Sequence, residues 1–199
     1  MAAAAEGGLS VVEAARRDRL VVVTGLPRSG TSMAMRMLGA GGVPLVDDGR
    51  RAPSPSNPHG WFEDARVRRL REDASWLRGV VGSAVKIVLP LAAAIPTDLP
   101  CDFVWMRRPI AEVLESQRRM LRAAPPGNGA PATPARCEDA GADESDDEIL
   151  ARTFERILGE FAERRVEGWR ILALEHADVL AAPARAADVL ADFVGGRFD

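Results

Sequence analysis

Several residue types are scarce or missing in this sequence of 199 residues. It contains no tyrosine, two histidines and two cysteines, and Lys86 is the only lysine among 26 basic residues. Cys101 and Cys137 lie 36 positions apart, which gives neither a zinc-ligand spacing nor the framework of a disulfide-rich domain. We therefore expect two reduced thiols and no metal site.

Long apolar runs and an excess of positive charge are also missing. No apolar run approaches the roughly 20 residues that span a bilayer, and the start, MAAAAEGG, has neither a basic leader nor an apolar stretch suited to export. The formal net charge is −3, whereas domains that bind nucleic-acid backbones usually carry a clear positive excess. These features predict a cytoplasmic protein with no membrane or nucleic-acid partner, and they leave its oligomeric state open.

The length suits one domain with a sizeable core and is too short for two ordinary domains. Residues 1–19 are Ala-rich and then charged, and we expect a lead-in there, followed by a single domain over 20–199. Within it, residues 123–147 form a Pro/Gly/Ala-rich run that ends in acidic residues. Such a segment buries too little apolar surface to order itself, so we predict a mobile surface loop, with folding over a ligand as an alternative.

Apolar β-branched runs alternate with helix-like patterns along the rest of the chain. Strands are predicted at 20–25, 83–90, 102–107 and 169–175, and irregular structure over the proline-rich residues 43–60. Helices are predicted from Thr31 to the glycines at 41–42, from about Glu63 to Leu77, after Pro109, over 147–167 and over 183–194. This order predicts an α/β fold of P-loop type: a three-layer sandwich with a mainly parallel sheet of about four or five strands flanked by helices.

The segment GLPRSGTS, from Gly25 to Ser32, lies between the first predicted strand and helix. A glycine-spaced loop at that junction turns backbone N–H groups toward one point, where the helix N-terminus adds a positive dipole. We therefore predict a site for a phosphate-like anion. An ATP- or GTP-hydrolysing loop would read G-x-x-x-x-G-K-[ST], but Thr31 occupies the lysine position and the positive side chain is Arg28, inside the loop.

Three segments together resemble the sulfotransferases that use 3′-phosphoadenosine 5′-phosphosulfate. GLPRSGTS resembles their 5′-phosphosulfate loop, and FVWMRRPIAEVLESQ supplies Arg108 and Ser116 at the spacing of their 3′-phosphate ligands, with Arg107 as an alternative. KIVLP resembles the family's K-x-H-x-P strand end, except that Val88 replaces the catalytic histidine. The resemblance spans about residues 20–195 and is strongest to compact bacterial sulfotransferase-like proteins with NP.G.FE and RR..EVL.SQ..ML segments.

The resemblance implies transfer of a sulfuryl group from that donor to a small-molecule hydroxyl or amine, without a metal, leaving adenosine 3′,5′-bisphosphate. It assigns donor binding to a set of loop, strand-end and helix residues: Pro27, Arg28, Ser29, Gly30, Thr31, Ser32, Arg108 and Ser116. It assigns to Arg28 and Lys86 the neutralisation of charge on the bridging oxygen.

With the histidine missing, Glu63 is the first choice for the general base. Favouring a helix dipole is an equally plain role for an acidic residue there, and His59 is expected to be an exposed loop histidine. Two other functions stay open: a P-loop small-molecule or nucleoside kinase that uses ATP and magnesium, and a non-catalytic protein that binds adenosine 3′,5′-bisphosphate.

Overall fold

The computed structural model describes residues 18–54, 57–123, 144–164 and 166–195. In these ranges the chain forms a sheet of five strands in the order β2-β3-β1-β4-β5, and every neighbouring pair is parallel. The strands are β1 (Leu20–Gly25), β2 (Leu45–Val46), β3 (Ala84–Lys86), β4 (Cys101–Arg107) and β5 (Trp169–Glu175). The α-helices are α1 (Thr31–Ala40), α2 (Leu89–Ala92), α3 (Ile110–Ala123), α4 (Glu144–Glu163), α5 (His176–Ala181) and α6 (Pro183–Val194).

Apolar side chains pack on both faces of the sheet. On β1, Val21 and Val23 belong to the core beneath α1 and α6, while Leu20 and Val22 belong to the core beneath α3 and α4. A strand buried on both faces needs a continuous apolar run, which LVVVTG provides. The protein is therefore a P-loop type α/β three-layer sandwich, and the predicted fold class is confirmed.

The connections reverse direction at the centre of the sheet. From β1 the chain passes to β2 and β3 on one side, and from β4 it passes to β5 on the other. Open α/β sheets bind ligands at such a switch point, outside the carboxyl ends of the strands. Gly25 at the end of β1 pairs in register with Met106 of β4, so the predicted anion loop and Arg108 lie at the same edge.

The predicted helix from Glu63 to Leu77 is wrong. Two 3₁₀ helices, Ala65–Arg69 and Ser75–Val80, occupy this stretch instead. The Asp73 carboxylate accepts hydrogen bonds from the backbone N–H of Ser75 at 2.9 Å and from its hydroxyl at 2.6 Å. Such local side-chain bonds compete with a helical ladder, and they outweigh the apolar spacing here.

Other boundaries differ less. The predicted strand 83–90 is shortened to Ala84–Lys86, because the short helix α2 begins at Leu89 with Pro90 in its first turn. The stretch 43–60 contains the short strand β2. Helix α4 begins three residues before the predicted 147, and α5 was not predicted. The helices over 31–40 and 183–194 and the strand 169–175 are confirmed.

Some predictions concern residues outside the described ranges. They include 1–17 of the lead-in, 124–143 of the loop and Cys137. Cys101 is a buried free thiol, and burial raises its pKa to about 12. Within the described ranges, no helix combines the length and the apolar character needed to cross a membrane.

Candidate functional site

The loop between β1 and α1 has a backbone shape that depends on glycine. Gly25 has φ 153° and Gly30 has φ 101°. A Cβ at Gly25 would lie 2.4 Å from Oγ of Ser29 and 2.6 Å from the carbonyl oxygen of Met106. The first backbone bonds of α1 run from Met33 and Ala34 to the carbonyl of Gly30. The earlier amides of a helix have no intrahelical acceptor, so those of Thr31 and Ser32 face the loop as donors for an anion.

Arg28, Arg108 and Ser116 come together beside this loop. Nε of Arg28 donates to Oγ of Ser116 at 3.2 Å, and Nη1 of Arg108 donates to the backbone oxygen of Arg28 at 3.1 Å. Arg28 itself has φ 72°, which a non-glycine residue rarely adopts. Burial lowers the pKa of Arg28, and the charges of Arg108 and Arg51 lower it further. Like charges this close favour a bound anion.

Two buried hydroxyls near the loop have no hydrogen-bond partner in the described part of the chain. Ser29 is 1% exposed and Thr24 is fully buried, and neither Ser29 Oγ nor Thr24 Oγ1 is bonded there. An unsatisfied buried hydroxyl costs about 1–3 kcal/mol, so such groups call for a partner. Oγ of Ser29 lies directly against Gly25, where a Cβ would come within 2.4 Å of it.

Lys86 reaches the site from the end of β3. Its Nζ donates to the backbone oxygen of Trp61 and, at 3.2 Å, to Oε1 of Glu63. The same Trp61 oxygen accepts a hydrogen bond from Oγ of Ser32 at 3.4 Å, so the lysine and the loop share one acceptor. Burial lowers the pKa of Lys86, and the neighbouring Glu63 opposes this shift.

Glu63 is paired with two cations. Nη1 of Arg51 lies 3.0 Å and 3.1 Å from its two carboxylate oxygens, and Lys86 lies on Oε1. Burial alone would raise the pKa of Glu63, but Lys86 and Arg51 together bring it below the usual value. Glu63 caps no helix: Asp64 is the N-cap of the first 3₁₀ helix and accepts from the N–H of Arg66 at 2.9 Å. A helix-dipole role for Glu63 is therefore wrong.

Trp61 is the platform of this side of the site. The guanidinium carbon of Arg51 lies 3.3 Å from the centre of its ring, and that of Arg28 lies 6.0 Å away. Nδ2 of Asn57 donates to Oγ of Ser32 at 3.2 Å and so joins the same stretch to the loop. Asn57 begins the NP.G.FE segment of the sequence, whereas Arg51 lies in a proline-rich stretch with no periodic pattern, which gives no signal of its position.

The two histidines differ in position. His59 is exposed, as expected. His176 begins α5 against the loop, where a Cβ on Gly30 would lie 2.9 Å from its Cδ2. Burial lowers the pKa of His176, and the charge of Arg108 adds to the effect.

A crevice of about 470 Å³ opens beside the loop, on the side of β4 and α4. Its walls include Leu26 and Ser29 of the loop, Trp105 and Arg108 at the end of β4, and Leu158 of α4. Nε1 of Trp105 is buried there without a partner in the described residues. In the same part of the chain, no group of three or more His, Cys, Asp or Glu side chains is arranged to hold a metal ion.

The fold and this site define an α/β protein of P-loop type whose first loop is flanked by cationic side chains. No family model matches the sequence, and no curated protein matches it. Among solved structures, the chain is similar to an unliganded sugar kinase from Janibacter, with 16% identity over 88% of this chain and 95% of that chain and a TM-score of 0.47. A likeness at this level carries no information about activity.

Proposed function

We propose that this protein transfers a sulfuryl group from 3′-phosphoadenosine 5′-phosphosulfate to a small-molecule hydroxyl or amine. The observation that carries the proposal is the arrangement of cations around the loop. On the β4 side, Arg28 bonds Ser116 and Arg108 bonds the backbone of Arg28, and Lys86 lies on the β3 side. A donor with a 3′-phosphate and a 5′-phosphosulfate needs positive charge at two separate points, and both are present.

The loop amides and the unsatisfied hydroxyl of Ser29 suit the 5′-phosphosulfate. Arg108 and Ser116 suit the 3′-phosphate: Ser116 already accepts from Arg28, and its hydroxyl proton stays free to rotate toward an oxygen. Pro27, Gly30, Thr31 and Ser32 complete the loop that would hold the donor. The crevice beside β4 has room for a small organic group.

The transfer needs charge stabilisation more than covalent chemistry. The acceptor oxygen or nitrogen forms a bond to sulfur while the bond from sulfur to the bridging oxygen breaks, and that electron pair stays on the 5′-phosphate. Arg28 and Lys86 would neutralise the charge on this leaving oxygen. The acceptor must lose its proton to a base. We assign this role to Glu63, whose carboxylate accepts a hydrogen bond from Nζ of Lys86.

One observation favours the non-catalytic alternative, in which the protein only binds adenosine 3′,5′-bisphosphate. The carboxylate of Glu63 is held by both Arg51 and Lys86, which lower its pKa and make it a poorer proton acceptor. For catalysis these ion pairs must loosen when the donor binds, so that the burial of Glu63 dominates and its basicity rises.

The test is release of adenosine 3′,5′-bisphosphate from the donor, which water as acceptor makes measurable without knowing the substrate. We expect slow release by the wild-type protein and a loss of about 100-fold or more in Lys86→Met, since stabilisation of a leaving oxygen contributes that much. Arg69→Met removes a positive charge from an exposed side chain and should leave the rate unchanged. No release together with tight bisphosphate binding would support the non-catalytic alternative. Magnesium-dependent turnover of ATP, with no release of the bisphosphate from the donor, would support a kinase.

A further inference from the structure

Arg51 is not among the residues proposed to bind the donor or to take part in the transfer, yet it lies inside the site. Its guanidinium stacks on Trp61 at 3.3 Å, bonds to Glu63 at 3.0 Å, and has a side chain that is 28% exposed. The neighbouring Arg50 differs sharply: its side chain is 78% exposed and its nearest carboxylate, Asp48, is 3.8 Å away. A surface arginine in a proline-rich loop does not need an aromatic platform and a shared carboxylate.

Charges around the loop are unbalanced. Arg51 and Lys86 share the single carboxylate of Glu63. Arg28 and Arg108 lie on the other side of the same loop, where Glu112 pairs with Arg108 at 3.0 Å and is itself more than half exposed. The positive charge of Arg51 is felt at both Arg28 and Lys86, whose pKa values it lowers. Arg51 therefore belongs to the group of cations that an anion in the loop would neutralise.

We infer that Arg51 is a further anion-binding residue, held between Trp61 and Glu63 until an anion in the loop takes the place of the carboxylate. The planar guanidinium suits this exchange, because it offers parallel N–H donors to a carboxylate, a phosphate or a sulfonate. Stacking on Trp61 limits how far the side chain can move, so ordering it for the anion costs little conformational entropy. Without the anion, the carboxylate of Glu63 pairs with Arg51 and Lys86 next to the loop. When the anion binds, it replaces the carboxylate as the partner of both cations.

This inference rests on the proposal that the loop binds an anionic donor, and it adds the contact on the Trp61 side. It makes two opposite predictions for the two partners of one ion pair. Removing Arg51 weakens anion binding, because a contact is lost. Removing the charge of Glu63 strengthens it, because the anion no longer competes with the carboxylate for Arg51 and Lys86.

The experiment measures binding of adenosine 3′,5′-bisphosphate and of inorganic sulfate to the whole chain by calorimetry. We expect Arg51→Ala to weaken both by about tenfold, the effect of one charge-assisted hydrogen bond, and Arg51→Lys to fall between it and the wild type. Arg50→Ala, which removes the same charge one residue away, should change either affinity by less than about twofold. Glu63→Gln should bind both probes about threefold to tenfold more tightly, and this gain should be smaller in the double variant with Arg51→Ala, where only Lys86 is released.

Thermal unfolding of each variant shows whether it is folded at the temperature of the titration, and Arg51→Lys serves if Arg51→Ala is not. Equal affinities in Arg51→Ala and Arg50→Ala would overturn the inference, as would weaker binding in Glu63→Gln. Failure of the wild type to bind the bisphosphate would instead contradict the proposed donor. The Arg51 effect on sulfate can still be measured in that case, so the two failures are distinguishable.

Discussion

Nη1 of Arg108 lies 3.1 Å from the backbone oxygen of Arg28, so the end of β4 is tied directly to the loop after β1. Arg107 points elsewhere and pairs with Glu175 at 3.2 Å, with about half of its side chain exposed. The two consecutive arginines thus have different surroundings. Only Arg108 joins the group that contains Arg28 and Ser116.

We predict that Arg108→Ala weakens binding of adenosine 3′,5′-bisphosphate by about tenfold to 100-fold, because it removes the proposed 3′-phosphate ligand and a support of the loop. Arg107→Ala, the matched control, should weaken it by less than about threefold. Calorimetric titration of both variants measures the difference. A larger loss in Arg107→Ala would assign the 3′-phosphate to the other arginine.

The second prediction concerns the backbone conformation at Gly25, at the start of the loop. A Cβ there would come within 2.6 Å of a backbone oxygen at a φ of 153°, so Gly25→Ala must shift the loop. We expect a loss of about 2–4 kcal/mol in the free energy of unfolding and loss of bisphosphate binding. Gly79→Ala is the control, since a Cβ at Gly79 has nothing within 4 Å. Urea denaturation and calorimetry follow the two effects, and binding by Gly25→Ala equal to that of Gly79→Ala would contradict the role of the loop.

At the opposite end of β4, Asp102 joins two arginines. Its side chain is 2% exposed, and it bonds Nε of Arg19 at 2.6 Å and Nε of Arg170 at 2.7 Å. Asp102 is buried, but the side chains of Arg19 and Arg170 are 18% and 43% exposed. Water can therefore partly replace the lost charge, and Asp102→Asn should lower the free energy of unfolding by about 1–3 kcal/mol. The control, Asp98→Asn, changes a carboxylate that is 70% exposed in its pair with Arg78 and should leave the urea midpoint nearly unchanged. An effect of Asp102→Asn as small as that of Asp98→Asn would contradict the prediction and show that water solvates Arg19 and Arg170 in the variant.

The ion pairs of Glu63 predict a pH dependence of stability. Its pKa is lowered in the folded protein, because Lys86 and Arg51 outweigh the effect of burial. A carboxyl group with a lowered folded pKa contributes stability above its unfolded pKa, and this contribution is lost as the pH falls through the folded value. The wild type should have a higher free energy of unfolding than Glu63→Gln at neutral pH, and the two values should converge in acid. Urea midpoints across the pH range measure this, and a gap that widens in acid would have the wrong sign.

The central part of the fold and one side of the site could be predicted from the sequence. Strand β1, the loop and α1 follow from a continuous apolar run, a glycine-spaced turn and a helical apolar spacing, all of which act locally. Arg108 directly follows β4 and Ser116 lies on α3, and the patterns of both elements are equally clear. The structure places these residues together because β1 and β4 are neighbours in register.

The Trp61 side of the site could not be predicted in the same way. Arg51 reaches Trp61 and Glu63 only because the irregular chain after β2 folds back past the end of β3, which depends on tertiary contacts rather than on periodicity. The apolar spacing after Glu63 predicts a helix to Leu77 that does not form. Asp64 and Asp73 instead accept hydrogen bonds from nearby backbone N–H groups and favour short 3₁₀ helices. The sequence predicts a role for Glu63, but it contains no sign that the carboxylate pairs with both Arg51 and Lys86.

The most direct test of the proposed function is the nucleotide preference of the wild-type protein. Adenosine 3′,5′-bisphosphate, ATP, and ATP with magnesium are titrated separately by calorimetry under the same conditions. The cations on both sides of the loop predict tight binding of the bisphosphate without magnesium and much weaker binding of ATP. Tight binding of ATP that requires magnesium, with no binding of the bisphosphate, would contradict the proposal and favour a kinase.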